Sequence, residues 1–160
     1  MNSLQIRAAL SKYVRWFRMS ILHLKGYKNI NKNTVIESGI KLDKLNRNGI
    51  HIGSGCLVAS GTTILAHEHI FVKPDGSYYF KDTYIGKNCF IGVNSLICPG
   101  VHIGNECVVG GGSIVTKDVP DNCMVVGVPA KIVKTGIHMN DHARLEGDFR
   151  FKDTSVQRKT

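Results

Sequence analysis

Two histidines and a carboxylate fall within four residues at Ala66-His67-Glu68-His69. A neutral imidazole titrates near pH ~6.5 and takes up a proton efficiently close to neutrality, so this string can supply a general base. The competing reading is an ordinary histidine on a surface loop. Two lysines, Lys117 and Lys131, stand among small residues, where they can meet a phosphorylated ligand or simply stay solvated. Five cysteines (Cys56, Cys89, Cys98, Cys107, Cys123) make an odd set without a CxxC pair, which argues against a disulfide framework and for a reducing compartment. No G-x-S-x-G string is present, so a serine nucleophile elbow is not expected.

The chain that must position these groups has a six-residue rhythm. From Ile85 it reads I-G-K-N-C-F, I-G-V-N-S-L, I-C-P-G-V-H, I-G-N-E-C-V, V-G-G-G-S-I, V-T-K-D-V-P, without a slip for 36 residues. An earlier stretch from Ile52 keeps the same period, as I-G-S-G-C-L, V-A-S-G-T-T, I-L-A-H-E-H. Six is neither a helical period nor the two of a simple strand, and it suits a solenoid in which a short strand and a corner recur. Position one is Ile or Val and points inward. Position five (Cys89, Ser95, Val101, Cys107, Ser113, Val119) is small or medium and fills a narrow prism. Three sides give an 18-residue coil, with coils stacked about 4.8 Å apart. Cys89 and Cys107, one coil apart, are expected to be stacked apolar fillers. The rhythm breaks between Ile64 and Ile85, where Pro74-Asp75-Gly76 marks a turn, so a loop at about 67–83 leaves the prism. Residues 34–48 read as a ragged capping coil, and V-G-V-P-A-K-I-V-K closes the other end.

The composition, 42% hydrophobic and 21% charged, is that of a folded domain. The net charge of +9 is uneven: residues 1–32 hold seven basic side chains and no acid, leaving +2 for the rest. Nucleic-acid binding is therefore not expected, since a duplex-binding surface needs basic residues on the folded body. Within residues 4–25, Ile6, Leu10, Tyr13, Val14, Phe17, Ile21 and Leu24 share one side of a helix. That side is expected to dock on the neighbouring domain; contact with an anionic membrane surface is its second use. No apolar run is long enough to span a bilayer, and no secretory signal is seen near Met1. The domains read as 1–30 basic amphipathic helix, 31–135 solenoid and 136–160 polar tail, with 138–160 partly disordered or swapped onto a neighbour.

The repeat joined to G-G-G-S-I-V-T-K-D-V-P and G-V-P-A-K-I-V closely resembles the hexapeptide-repeat acyltransferases, nearest to the sugar and capsular polysaccharide O-acetyltransferases, over about residues 34–135. The resemblance implies an all-β, left-handed parallel β-helix, a homotrimer, and acetyl-CoA as donor. It also implies a catalytic histidine in the interrupting loop, which points to His67 as general base, with His69 as the alternative. Glu68 would orient an imidazole or touch substrate, and Phe90 would lie beside acceptor or thioester. By the same resemblance the pantetheine arm meets the backbone at Gly111, Gly112 and Ser113, while the phosphates meet Thr116, Lys117 and Lys131. A zinc site from His67, His69 and His102, as in the β-helical carbonic anhydrases, is the minor alternative, and no metal is expected.

The expected function is direct transfer of acetyl from acetyl-CoA to a saccharide hydroxyl, for capsule, exopolysaccharide or lipopolysaccharide assembly. The place expected is the cytoplasm, with peripheral contact at the inner membrane through residues 4–25. Transfer to an amino sugar on a nucleotide carrier is the enzymatic alternative. A non-catalytic structural β-solenoid is the other, and it predicts no coenzyme binding.

Overall fold

A computed structural model describes residues 3–146. Helix α1 (Ser3–Leu24) precedes a three-sided parallel solenoid. Its first face holds β3 (Ile50–Ile52), β8 (Thr83–Ile85) and β11 (His102–Ile103). The second face runs β1 (Val35–Ile36), β4 (Leu57–Val58), β9 (Phe90–Ile91), β12 (Val108–Val109) and β14 (Cys123–Gly127), ending on antiparallel β15 (Ala130–Thr135). The third stacks β2 (Lys41–Leu42), β5 (Thr63–Ile64), β10 (Leu96–Ile97) and β13 (Ile114–Val115).

Register reports the length of each coil. Phe90 lies beside Val108 and Leu96 beside Ile114, the 18-residue step of three hexamers. Leu57 lies beside Phe90 and Thr63 beside Leu96, because the hairpin of β6 (His67–Val72) and β7 (Tyr78–Phe80) interrupts that coil. The first coil is longer too, pairing Lys41 with Thr63, since a 3-10 turn at Arg47–Gly49 bulges from it.

The inward positions make one continuous core. Ile85, Ile91, Ile97, Ile103, Val109 and Val115 are all buried, as are Cys89, Ser95, Val101, Cys107, Ser113 and Val119. The thiols of Cys89 and Cys107 donate to the carbonyls of Gly104 and Pro120 at 3.0 and 3.1 Å, so these fillers also satisfy corner carbonyls. A Cβ on Gly53 would sit 2.6 Å from the Gly86 carbonyl, and one on Gly86 would sit 2.6 Å from Gly104, so close stacking of that corner requires glycine.

Two parts depart from the sequence reading. Most of the apolar stripe of α1 does not dock: Met19 and Leu22, outside the stripe, hold the helix on the core, and of the stripe Ile21 is half-buried while Leu10, Tyr13, Val14, Phe17 and Leu24 face out. Helical periodicity identifies a stripe but not which side has a complementary surface to meet. The beginning of the C-terminal segment is anchored rather than loose. Ile137, Met139 and Ala143 are buried and cover Leu57, Phe90, Val108 and Met124 on the outer side of the second face. That face presents apolar side chains outward as well as inward, and the returning chain removes them from water. The side chain of Ile6 and residues 147–160 lie outside the described residues.

Candidate active site

The third face sets the site. Leu42, Ile64, Ile97 and Val115 are in register, so the residues that follow each strand stack on one edge of the prism. Asp43 leaves the first coil there, Ala66 and His67 the second, Cys98 the third, and Thr116 and Lys117 the fourth. The hairpin begins where the chain would otherwise turn onto the first face, which puts His67 at the mouth of the edge.

Asp43 is the residue the sequence reading missed. It is 3% exposed, and four N–H groups converge on its carboxylate. Oδ1 accepts from the backbone of Leu45 and Asn46 at 2.9 and 3.1 Å. Oδ2 accepts from the backbone of Ala66 at 2.8 Å and stands 2.5 Å from His67 Nδ1. Burial pushes this carboxyl up, but the bonds from Ala66, Asn46, His67 and Leu45 outweigh it and hold Asp43 below the usual carboxylate range. An ionised Asp43 can only accept, so Nδ1 of His67 carries a proton, and in the neutral ring Nε2 is the nitrogen with the lone pair. Nε2 is buried and is the one buried side-chain N or O atom without a hydrogen-bond partner among the described residues. A buried polar atom left unpaired costs about 1–3 kcal/mol, and it is the atom a bound hydroxyl would satisfy.

Nearby groups frame this nitrogen. The His69 ring lies 4.0 Å from the His67 ring and the Tyr78 ring 5.3 Å, both contributed by the hairpin. Glu68 does not reach the imidazole: its Oε1 accepts from Lys81 Nζ at 3.1 Å. Successive residues of a strand point to opposite sides, so the carboxylate adjacent in sequence is directed away and one from the preceding coil takes its place. Asn46 ties the assembly together. Its backbone N–H binds Asp43, and its side-chain amide donates to the Ala66 carbonyl and to Asp82 Oδ1, each at 2.9 Å.

The other expected residues are spread over the prism. Thr116 and Lys117 are exposed on the edge of His67, two coils further along, or about 10 Å by strand spacing. Gly111 and Gly112 lie exposed at the opposite edge of the third face; Ser113 is buried there, with Oγ accepting the Gly127 N–H at 3.1 Å. Lys131 is exposed on β15 at the closing end. Phe90 is on the second face under the C-terminal segment, away from the dyad, because its coil position points out of that face. His102 lies on the first face against Tyr84, with ring centroids 4.6 Å apart. No group of three His, Cys, Asp or Glu among the described residues is placed to hold a metal ion.

A protein-family model described as hexapeptide repeat of succinyl-transferase matches residues 30–66 and 83–117, stopping and resuming at the hairpin. Galactoside O-acetyltransferase of Lactococcus lactis is 36% identical over 120 residues, covering 72% of this chain and 57% of that protein. YvoF of Bacillus subtilis, an inferred acetyltransferase, is 33% identical over 129 residues, covering 81% of this chain and 70% of its own length. This chain thus spans little more than half of the galactoside enzyme. A maltose O-acetyltransferase from Clostridium difficile superposes with a TM-score of 0.60 at 28% identity, over 74% of each chain. A hexapeptide-repeat acetyltransferase of Vibrio cholerae, complexed with acetyl coenzyme A, superposes with a TM-score of 0.54 at 27% identity, over 65% of this chain and 61% of that one.

Proposed function

We propose that this chain, which belongs to the hexapeptide-repeat acyltransferases, moves an acetyl group from acetyl-CoA directly to a hydroxyl of a saccharide. The observation that carries the reading is the His67 imidazole, anchored through Nδ1 on a buried carboxylate with Nε2 unpaired. The acceptor O–H hydrogen-bonds to Nε2. As its oxygen attacks the thioester carbonyl, the proton passes to Nε2, and the imidazolium is held by the ionised Asp43. Collapse of the tetrahedral intermediate breaks the carbon–sulfur bond, and the leaving thiolate takes the proton from Nε2. Base catalysis of this kind is worth about 10²–10⁴-fold.

The donor groove of this proposal lies between two protomers. Lys117 on the edge of His67 suits a coenzyme phosphate, and the exposed Gly111–Gly112 backbone at the far edge suits a pantetheine arm. Those two edges belong to one groove when one protomer packs against another, which favours a homotrimer of left-handed β-helices over a lone chain. Lys131 and Thr116 are secondary phosphate contacts. The compartment is the cytoplasm, at the inner face of the membrane.

The test is turnover of a sugar panel, hydroxy and amino, with acetyl-CoA. His67→Ala should lower kcat by about 10²-fold or more while leaving coenzyme affinity nearly unchanged. His69→Ala should keep most of the activity. Survival of activity in the first variant with its loss in the second overturns the assignment of the base. Preferential acetylation of amino sugars overturns the acceptor class, and the absence of coenzyme binding by the wild-type chain overturns the enzyme reading.

A further inference from the structure

Helix α1 turns most of its hydrophobic stripe to water, with Ile21 half-buried. Met19, 5% exposed, and half-buried Leu22 seat the helix on the solenoid. Leu10, Tyr13, Phe17 and Leu24 are 62%, 72%, 60% and 88% exposed, on the side opposite Met19. They share an arc of about 60°, with Val14 at its margin. Trp16, 69% exposed, stands beside the arc. Exposed Arg18 and Lys25 flank one margin of the arc, exposed Arg15 and Lys32 line the groove between the helix and the solenoid, and no acid occurs before Glu37.

We infer that this face of α1 docks on an anionic lipid bilayer. Apolar and aromatic side chains flanked by cations, on a helix without an acid, are what such an interface takes up: the rings and Leu side chains enter the acyl boundary, and Arg18 and Lys25 at its margin meet lipid phosphates. A second copy of the helix is a poor occupant, because it would bring two sets of like charges together with no carboxylate to offset them. No described helix is long and apolar enough to cross a membrane, so α1 lies on the surface.

The second half of the inference rests on the proposed acetyl transfer. The end of α1 is tied to the coil that carries Asp43. Arg47 donates from Nη1 to the Lys25 carbonyl at 2.8 Å, and the Tyr27 hydroxyl donates to the Leu42 carbonyl at 3.4 Å. His67 follows on the next coil, about 4.8 Å away by strand spacing. The dyad therefore occupies the same end of the solenoid as the docking helix, and the acceptor it fits is a saccharide carried on that membrane.

The test is co-sedimentation of the full chain with vesicles of phosphatidylcholine plus phosphatidylglycerol, against phosphatidylcholine alone. Wild type should partition onto the anionic vesicles, less so as salt rises. The double variant Leu10→Gln, Phe17→Gln should bind about tenfold more weakly or worse, with an unchanged circular dichroism spectrum, since both side chains are exposed. No binding by wild type, equal binding by the variant, or a change of oligomeric state in the variant overturns the docking surface. For the acceptor, wild type should acetylate a lipid-linked saccharide in anionic vesicles faster than the variant does, both being equal on a soluble sugar. Equal rates on vesicles overturn the membrane-carried acceptor. Vesicle binding without turnover of any sugar by either form refutes the acetyl transfer and leaves the docking surface standing.

Discussion

Replacing Asp43 with asparagine keeps the shape of the dyad and removes one property, a group that accepts on both sides. Two backbone N–H groups converge on Oδ1, while Oδ2 faces the Ala66 N–H and His67 Nδ1. Asparagine has one accepting oxygen and one donating nitrogen, so either orientation sets an NH₂ against two donors. With the nitrogen toward Leu45 and Asn46, two backbone N–H groups lose their acceptor. With it toward His67, the imidazole must take the other tautomer, protonating Nε2 and removing the base. Either outcome leaves buried donors unpaired at about 1–3 kcal/mol, within the ~5–15 kcal/mol of a typical domain, so the variant should fold with a lower Tm. The catalytic loss should approach the full ~10²–10⁴-fold of general base catalysis, because the imidazolium also loses its counter-charge. The assay pairs kcat on a sugar acceptor with calorimetric coenzyme affinity and thermal melting. Asp43→Asn with near-wild-type kcat refutes the dyad. A kcat that falls only as far as the folded fraction falls refutes it too, since Asp43 would then be purely structural.

Lys117→Ala should weaken coenzyme binding about tenfold, the worth of a lost charge-assisted contact, with the effect shrinking as salt rises; an unchanged Kd by calorimetry places the phosphates elsewhere. Acid should unmask Asp43. Its folded pKa lies below the unfolded value, so its stabilisation is present above the usual carboxylate range near ~3.9 and disappears as pH falls toward its lower folded pKa. The lead of the wild-type urea midpoint over Asp43→Asn should therefore narrow on going from about pH 7 to about pH 3, and a constant gap refutes the depressed carboxyl.

Much of the architecture is legible from the sequence, because the six-residue rhythm places the same inward Ile or Val on every side, and those residues are buried from Ile85 to Val115. The break after Ile64 marks where the hairpin leaves, and the Ala66-His67-Glu68 string marks the imidazole within it. Asp43 is not legible in that way. It lies in the irregular first coil, 24 residues from its partner, and its local signal is an aspartate whose carboxylate accepts the N–H groups two and three positions on, a common turn device. Glu68 is nearer along the chain yet pairs with Lys81. The outward stripe of α1 and the anchoring of Ile137 and Met139 are equally invisible to periodicity, which shows that a side is apolar but not what covers it.

What the sequence determined alone is what recurs locally: the step of the coil, the burial of its first and fifth positions, and the place of the interruption. These follow from side-chain size and backbone geometry within a few residues. Only the tertiary structure decided which carboxylate meets His67, which edge Lys117 shares with it, and which side of α1 stays open. The dyad depends on register between coils, where Leu42 lies beside Ile64 and Asp43 just beyond it reaches the Ala66 N–H, and register is a property of stacked strands that no single stretch of chain contains.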